Sequence, residues 1–131
     1  MSKRKRELVQ RIMDVYFEGH ISKKEMYAMI DTISKRKEVV LYCRAADRGE
    51  LAEQRSKLEK YAWELGYTIV GRYEDEGRSG ADLDRPGLVR LLEAYADGEF
   101  DAVLVVDPGK LFRGPIENMP VWGFDILTAK G

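Results

Sequence analysis

Seven cationic side chains fall in three segments, each of which follows a short apolar run of the chain. Forked guanidinium groups can each pair with two phosphate oxygens, so a cluster of them suits a polyanion. The seven residues are Arg44, Arg48, Arg72, Arg78, Arg85, Lys110 and Arg113. The same segments also contain Asp47, Glu50, Glu74, Asp75, Glu76, Asp82 and Asp84. A phosphate-binding rim is therefore one interpretation, and ordinary solvated surface charge is the other.

From residue 39 onward, short apolar runs alternate with longer helical patterns. The apolar runs are residues 39–43, 67–70 and 102–106. A strand that is apolar throughout is typical of a parallel sheet covered on both faces. Repeated strand and helix units predict an α/β fold of three layers, with function at the carboxyl ends of the strands. Those ends are residues 44–50, 71–85 and 107–114, the segments that hold the seven cations.

Three helices are predicted around these strands. The first ends near Gly66, a residue type common just after a helix, and the second begins at Pro86, which is tolerated in a first turn. Residues 71–85, rich in glycine and charge, are predicted to form a loop. A final helix is predicted despite Pro120, from the spacing of Ile116, Met119, Trp122 and Ile126.

Residues 1–37 are predicted to form a separate, basic helical hairpin. Ser22 and Glu25 have the spacing of a capping box, and the charged stretch at residues 34–38 marks the expected boundary with the second unit, residues 38–131. The hairpin holds ten Lys and Arg against five Asp and Glu, whereas the remainder holds twelve against eighteen. The candidates for phosphate contact in the hairpin are Lys3, Arg4, Lys5 and Arg6, for which a solvated chain end is the alternative.

Composition excludes several other classes of protein. No apolar run approaches the length of a membrane helix, so we expect no membrane partner and a cytoplasmic location. A single cysteine, Cys43, excludes an internal disulfide, and with a single histidine, His20, it cannot build a Cys/His zinc site. We therefore expect no metal, and no pattern indicates a cofactor.

Five groups of residues resemble the catalytic domain of serine recombinases of the resolvase/invertase class. The likeness covers residues 39–131 and rests on order and spacing as well as residue type. It implies a resolvase-like, Rossmann-like αβα domain that acts on DNA. The groups are residues 42–46 (YCRAA), Gln54, residues 73–80 (YEDEGRSG), residues 84–88 (DRPGL) and residues 110–113 (KLFR).

In that family a serine attacks a DNA phosphodiester while an arginine cluster stabilises the charge on phosphorus. The resemblance places Arg44, Arg85 and Arg113 at positions of that cluster, with Asp75 beside it and Tyr42 also matching. Two departures concern the chemistry itself. The position of the nucleophilic serine is Ala46, and the family's Asp-Arg-Leu is Gly109-Lys110-Leu111 here.

These departures predict a domain that has lost catalysis and acts as a binding module for DNA, a nucleoprotein assembly or a related recombinase, within DNA recombination or a mobile element. Family members also continue into a helix that builds the dimer and commonly into a DNA-binding domain, so recombination by this chain alone is not expected. Two alternatives stay open. One is an active or mutationally trapped recombinase, with Ser79 or a restored serine at Ala46; the other is an oligomerising scaffold that self-associates through the hairpin.

Overall fold

A computed structural model describes residues 2–129, which form four helices and four strands with two short 3₁₀ turns. The 3₁₀ turns are Pro108–Lys110 and Ile116–Asn118. In chain order the other elements are α1 (Lys3–Phe17), α2 (Lys23–Lys35), β1 (Glu38–Ala45), α3 (Arg48–Leu65), β2 (Thr68–Glu76), α4 (Pro86–Ala96), β3 (Ala102–Val105) and β4 (Asp125–Thr128).

The four strands form one parallel sheet in the order β2-β1-β3-β4. α4 packs on one face, where its buried residues join Val40, Tyr42 and Val103 in one apolar cluster. α3 packs on the other face, against Leu41 and Cys43. The predicted α/β fold with three layers is confirmed, and β1 lies inside the sheet because both of its faces are apolar.

Local signals set the ends of the helices on either side of the sheet. The side chain of Asp47 accepts a hydrogen bond from the amide of Glu50 at 2.9 Å and so caps α3. Gly66 ends α3 with a φ of 74°, in the left-handed region that glycine adopts without strain. Pro86 occupies the first turn of α4, as its fixed φ and missing amide proton allow.

The second strand is longer than predicted. Residues 71–76, assigned from sequence to a loop, continue β2 and pair with β1 as far as the register of Ala45 with Glu76. Their charges mislead because alternate side chains point to opposite faces of a strand. Arg72 and Glu74 form ion pairs with side chains of α3, whereas Asp75 faces α4. The loop therefore begins at Gly77, whose φ is 65°.

The predicted final helix is wrong. Only one 3₁₀ turn forms at Ile116–Asn118, and Ile116 is 84% exposed instead of buried. Ile126 lies on β4, in register with Val103 of β3. Pro115 and Pro120 cannot donate the backbone hydrogen bonds that a helix interior needs, so no helix forms here despite the helical spacing of the apolar residues.

The hairpin meets the sheet at the amino ends of β1 and β3. Nζ of Lys5 lies 2.9 Å from the carboxylate of Asp101, which immediately precedes β3. Nη1 of Arg4 lies 2.9 Å from the carboxylate of Glu38, the first residue of β1, and Ser2 also donates to Glu38. Beyond this first turn, α1 packs against α2. The capping box predicted at the start of α2 is present.

Candidate functional site

A buried hydrogen-bond network joins β1, β2 and α4 near the carboxyl end of the sheet. The hydroxyl of Tyr42 donates to Oδ2 of Asp75 at 2.6 Å. The two carboxylate oxygens of Asp75 also accept from the amides of Gly87 and Leu88, at 2.8 and 2.9 Å. These amides belong to the first turn of α4, where a negative charge is stabilised by the helix. Asp75 therefore fixes α4 to the sheet.

Arg85 lies beneath the rim instead of on it, which corrects the predicted phosphate contact. Its side chain has no exposed surface. Its guanidinium donates to the hydroxyl of Tyr42 at 3.1 Å and to the backbone carbonyls of Asp82, Lys110 and Leu111. These bonds tie the loop after β3 to the loop before α4. Arg85 is a positioning residue here, because its guanidinium donates these hydrogen bonds to groups of the protein itself.

Arg44 holds the same loops from the other side. Its guanidinium donates to the carbonyls of Arg78, Gly109 and Lys110, at 3.0 to 3.1 Å. Partial burial, followed by the nearby charge of Arg85, lowers the pKa of Arg44. A Cβ atom on Gly80 would lie 2.6 Å from Nη2 of Arg44 and 2.9 Å from Cβ of Arg113, so a side chain there would displace the Arg44 guanidinium. Arg44 thus shapes the cleft described next.

An open cleft of about 450 Å³ lies above this network, and we call it the Ala46 cleft. Ala46, which the resemblance aligns with the nucleophile position, lines this cleft. The backbone amide of Ala46 donates to Oε2 of Glu50 at 3.3 Å. The residues that line the cleft are Arg44, Ala45, Ala46, Glu50, Gly77, Arg78, Ser79 and Lys110.

Arg78 and Lys110, which line the cleft, and Arg113 beside Gly109 are predicted cations that form no salt bridge within residues 2–129. A Cβ atom on Gly109 would lie 3.0 Å from Nη2 of Arg113. An aspartate at position 109, the residue type that the family motif has there, would have its Cβ beside both the guanidinium of Arg113 and Oδ1 of Asp107, the latter 3.1 Å away. With glycine in that place, the charge of Arg113 is left without this partner.

The remaining predicted cations lie elsewhere or are already paired. Arg72 pairs with Glu59 at 2.8 Å, and Arg48 lies 3.5 Å from Glu76, so surface ion pairing is the right interpretation for these two. The segment of Lys3, Arg4, Lys5 and Arg6 lies at the opposite end of the sheet, against Glu38, Gly98 and Asp101. Lys5 is buried there, which corrects its prediction as a free phosphate contact.

Two residues that the sequence analysis did not assign to the site support it. Glu50 lies in the wall of the Ala46 cleft, although the sequence indicated only a neutralising acid. Gln54 is buried and donates to the carbonyl of Arg44 at 2.9 Å, which holds the end of β1 against α3. Gln54 is one of the groups that resemble serine recombinases, and its place between Leu51 and Leu58 on the buried stripe of the helix indicates burial.

Within residues 2–129, no three His, Cys, Asp or Glu side chains come together as they would to hold a metal ion. None of the helices in that range is both long and apolar enough to cross a bilayer.

Comparison with known proteins decides the family. A family model described as the N-terminal domain of resolvase matches residues 39–121. The chain belongs to the resolvase family. A search of curated proteins finds no match.

Solved structures agree with this resolvase assignment. The C-terminal catalytic domain of ISC1926 TnpA, an IS607-like serine recombinase, is 26% identical with a TM-score of 0.62, and the match covers 72% of this chain and 68% of that one. The N-terminal catalytic domain of TP901-1 integrase is 34% identical with a TM-score of 0.57, covering 63% of this chain and 65% of that one. The first ORF in transposon ISC1904 from Sulfolobus solfataricus P2 shares the fold. It is 24% identical with a TM-score of 0.53, and the match covers 71% of this chain and 67% of that one. This resolvase-family chain therefore contains a serine recombinase-like domain.

Proposed function

We propose that this chain is a non-catalytic serine recombinase-like domain that binds DNA through phosphate contacts in the Ala46 cleft. One observation carries the proposal. Ala46 lines a cleft whose cations Arg78 and Lys110 form no salt bridge with any carboxylate of residues 2–129. A site that keeps its cations but lacks a nucleophile supports binding of phosphate without attack on it.

Loss of the nucleophile is the larger part of the argument against catalysis. Removing the nucleophile from a catalytic group that works as a unit costs on the order of 10⁶ in rate. Ser79 is the serine that lines the cleft, and its Oγ accepts a hydrogen bond from the amide of Ala81 at 3.2 Å. Within residues 2–129, no hydrogen bond connects Ser79 to a side chain that could remove its proton. Catalysis through Ser79 is therefore the outcome we do not expect.

The segment Gly109-Lys110-Leu111 supports the same conclusion. Glycine at position 109 supplies no carboxylate, and Lys110 offers a point charge where the family motif has a forked guanidinium. A lysine still attracts a phosphate, but it cannot hold two of its oxygens in a fixed plane. The two changes preserve attraction to DNA better than they preserve alignment for reaction.

The test is a fluorescence polarisation titration of a labelled DNA duplex at several salt concentrations. We expect binding that weakens as salt rises, because phosphates neutralised by the protein release counterions. Arg78→Ala and Lys110→Ala should each weaken binding and lower the salt slope by about one. The matched controls are Arg90→Ala and Lys57→Ala, exposed cations outside the cleft. Absence of binding, or equal effects in cleft and control variants, would reject the proposal.

The hairpin supports a second candidate function, as an oligomerising scaffold. Phe17 is 74% exposed and Tyr27 is 58% exposed, so the hairpin presents aromatic surface that its own packing does not cover. If the hairpin joins copies of the chain, Phe17→Ser combined with Tyr27→Ser lowers the mass measured in solution. A monomer before and after these substitutions would remove this candidate without affecting the DNA proposal.

A further inference from the structure

Glu50 stands in the Ala46 cleft as an acid among cations. It belongs to the first turn of α3, and within the described chain it is the only acidic residue among those that line the cleft. A carboxylate in this place carries the same sign of charge as the phosphate that the proposed function requires. The two anions would compete for the same surroundings.

The hydrogen bond of Glu50 differs from ordinary helix capping. In α2, the true capping box has Glu25 accepting from the amide of Ser22, the residue that caps the helix, at 3.1 Å. In α3, Asp47 already caps the helix, yet Glu50 accepts from the amide of Ala46, one residue before the cap. Because its partner is one residue further from the helix, the carboxylate of Glu50 lies at the wall of the cleft, next to Ala46, and does not bond to the amide of the capping residue.

We infer that Glu50 limits the affinity of the Ala46 cleft for phosphate by presenting a like charge beside Lys110 and Arg78, in a position fixed by its bond to the backbone amide of Ala46. A phosphate that enters the cleft must displace this carboxylate or bind next to it. Glu50 is then a residue that determines specificity, because it admits only ligands whose other contacts outweigh the repulsion. This inference rests on the proposed function, since it assumes that a phosphate enters the cleft.

The direct test replaces the charge while keeping the shape. Glu50→Gln retains an oxygen that can accept from Ala46, so we expect the fold to persist. There are two probes. One is inorganic phosphate, whose binding is measured from the NMR amide resonance of Ala46, and the other is the labelled duplex used above. We expect Glu50→Gln to bind either probe about fivefold more tightly at low salt, as removal of a like charge a few ångströms away would do. The gain should shrink as salt screens the charge.

Two further variants separate charge from structure. Glu53→Gln makes the same change of net charge at an exposed position on α3 outside the cleft, and we expect less than half of the gain. Glu50→Asp keeps the charge but shortens the side chain, so its affinity should stay near that of the unmodified protein. If Glu50→Gln and Glu53→Gln gain equally, or if Glu50→Asp gains as much as Glu50→Gln, the inference is wrong.

The outcomes distinguish this inference from the proposal beneath it. If the unmodified chain binds the duplex and Glu50→Gln adds nothing, the proposed function stands and the inference fails. If only Glu50→Gln binds, the inference stands, but the unmodified chain is not a DNA-binding module. If neither protein binds either probe, both fail.

Discussion

The hydroxyl of Tyr42 donates to the carboxylate of Asp75 at 2.6 Å, and both side chains are buried between β1, β2 and α4. Burial first, and the bond to Asp75 second, raise the pKa of Tyr42, so this phenol stays protonated and remains a donor across the physiological range. The pair is the point where the central strand, the edge strand and the following helix are joined. It supports the cleft from below and does not reach into it.

Tyr42→Phe tests this support. The change removes a donor to Asp75 and an acceptor for Arg85, both of which keep other partners. We expect the free energy of unfolding to fall by about 1–3 kcal/mol, the cost of leaving buried polar groups less well satisfied. Urea denaturation measures it, with Tyr27→Phe on the exposed face of the hairpin as control. Equal stability of the two variants would show that the Tyr42 bond is not structural.

Gly87→Ala tests how closely α4 approaches β2. A Cβ atom there would lie 2.3 Å from the carbonyl oxygen of Glu74 and 2.9 Å from Oδ2 of Asp75. Backbone cannot yield as a flexible side chain can, so α4 must shift and weaken its amide bonds to Asp75. We expect a loss of about 3 kcal/mol or more in the free energy of unfolding. A loss below about 1 kcal/mol, the usual effect of a tolerated change, would contradict this packing.

The ion pair of Lys5 with Asp101 predicts a dependence of stability on pH. Partial burial opposes ionisation of Asp101, but the hydrogen bonds from Lys5 and from the amide of Glu38 outweigh it and lower the pKa of Asp101. A carboxyl whose folded pKa is depressed adds stability above its unfolded pKa, ordinarily about 3.9, and loses it as pH falls through the lower folded value. Acid should therefore loosen the attachment of the hairpin.

Lys5→Met measures this attachment. At neutral pH we expect the free energy of unfolding to fall by about 2 kcal/mol, because Asp101 is left half-buried without its cation. The part of the acid dependence that comes from Asp101 should also shrink in the variant. The control is Lys35→Met, whose pair with Asp31 is exposed and should change stability by less than about 0.5 kcal/mol. Identical effects of the two substitutions would show that Lys5 does not anchor the hairpin.

Gly109→Asp tests whether the charge of Arg113 contributes to DNA binding. The Cβ of the new residue would lie 3.0 Å from Nη2 of Arg113 and 3.1 Å from Oδ1 of Asp107, and we expect its carboxylate to pair with the guanidinium. We expect weaker binding of the duplex and a salt slope lower by about one, since one cation is withdrawn from the DNA. Ser56→Asp, at an exposed position on α3, adds the same charge away from the cleft and should have a smaller effect. Unchanged binding in Gly109→Asp would place Arg113 outside the DNA contact.

The sequence predicts the fold well where one physical signal dominates. The continuous apolar run of β1, the cap at Gly66 and the proline at the start of α4 each have a single interpretation. Prediction failed at residues 114–124, where helical spacing of apolar residues competed with Pro115 and Pro120, and the prolines prevailed. It fails again at residues 71–76, because the charges of a strand that form ion pairs with α3 resemble in sequence the charges of a loop.

The sequence predicted which residues of the candidate site lie close together, but not how deeply each side chain is buried. Motif spacing brought Tyr42, Arg44, Asp75 and Lys110 together, and the structure joins them through shared hydrogen bonds. Spacing does not specify how far a long side chain lies from solvent. The sequence therefore predicts Arg85 as a cation on the rim, whereas the structure buries it fully. The position of Glu50 depends on a bond one residue outside the usual capping pattern, which spacing alone does not predict.

The absence of a nucleophile at position 46 is tested most directly by a search for a covalent bond between protein and DNA. The unmodified chain is incubated with a nicked duplex that traps a phosphoserine link, denatured, and separated by mass. We expect no adduct, and none with Ala46→Ser, because position 109 still lacks its carboxylate and Lys110 its guanidinium. An adduct from the unmodified chain would contradict the proposal of a non-catalytic domain, and its loss in Ser79→Ala would identify the attacking residue.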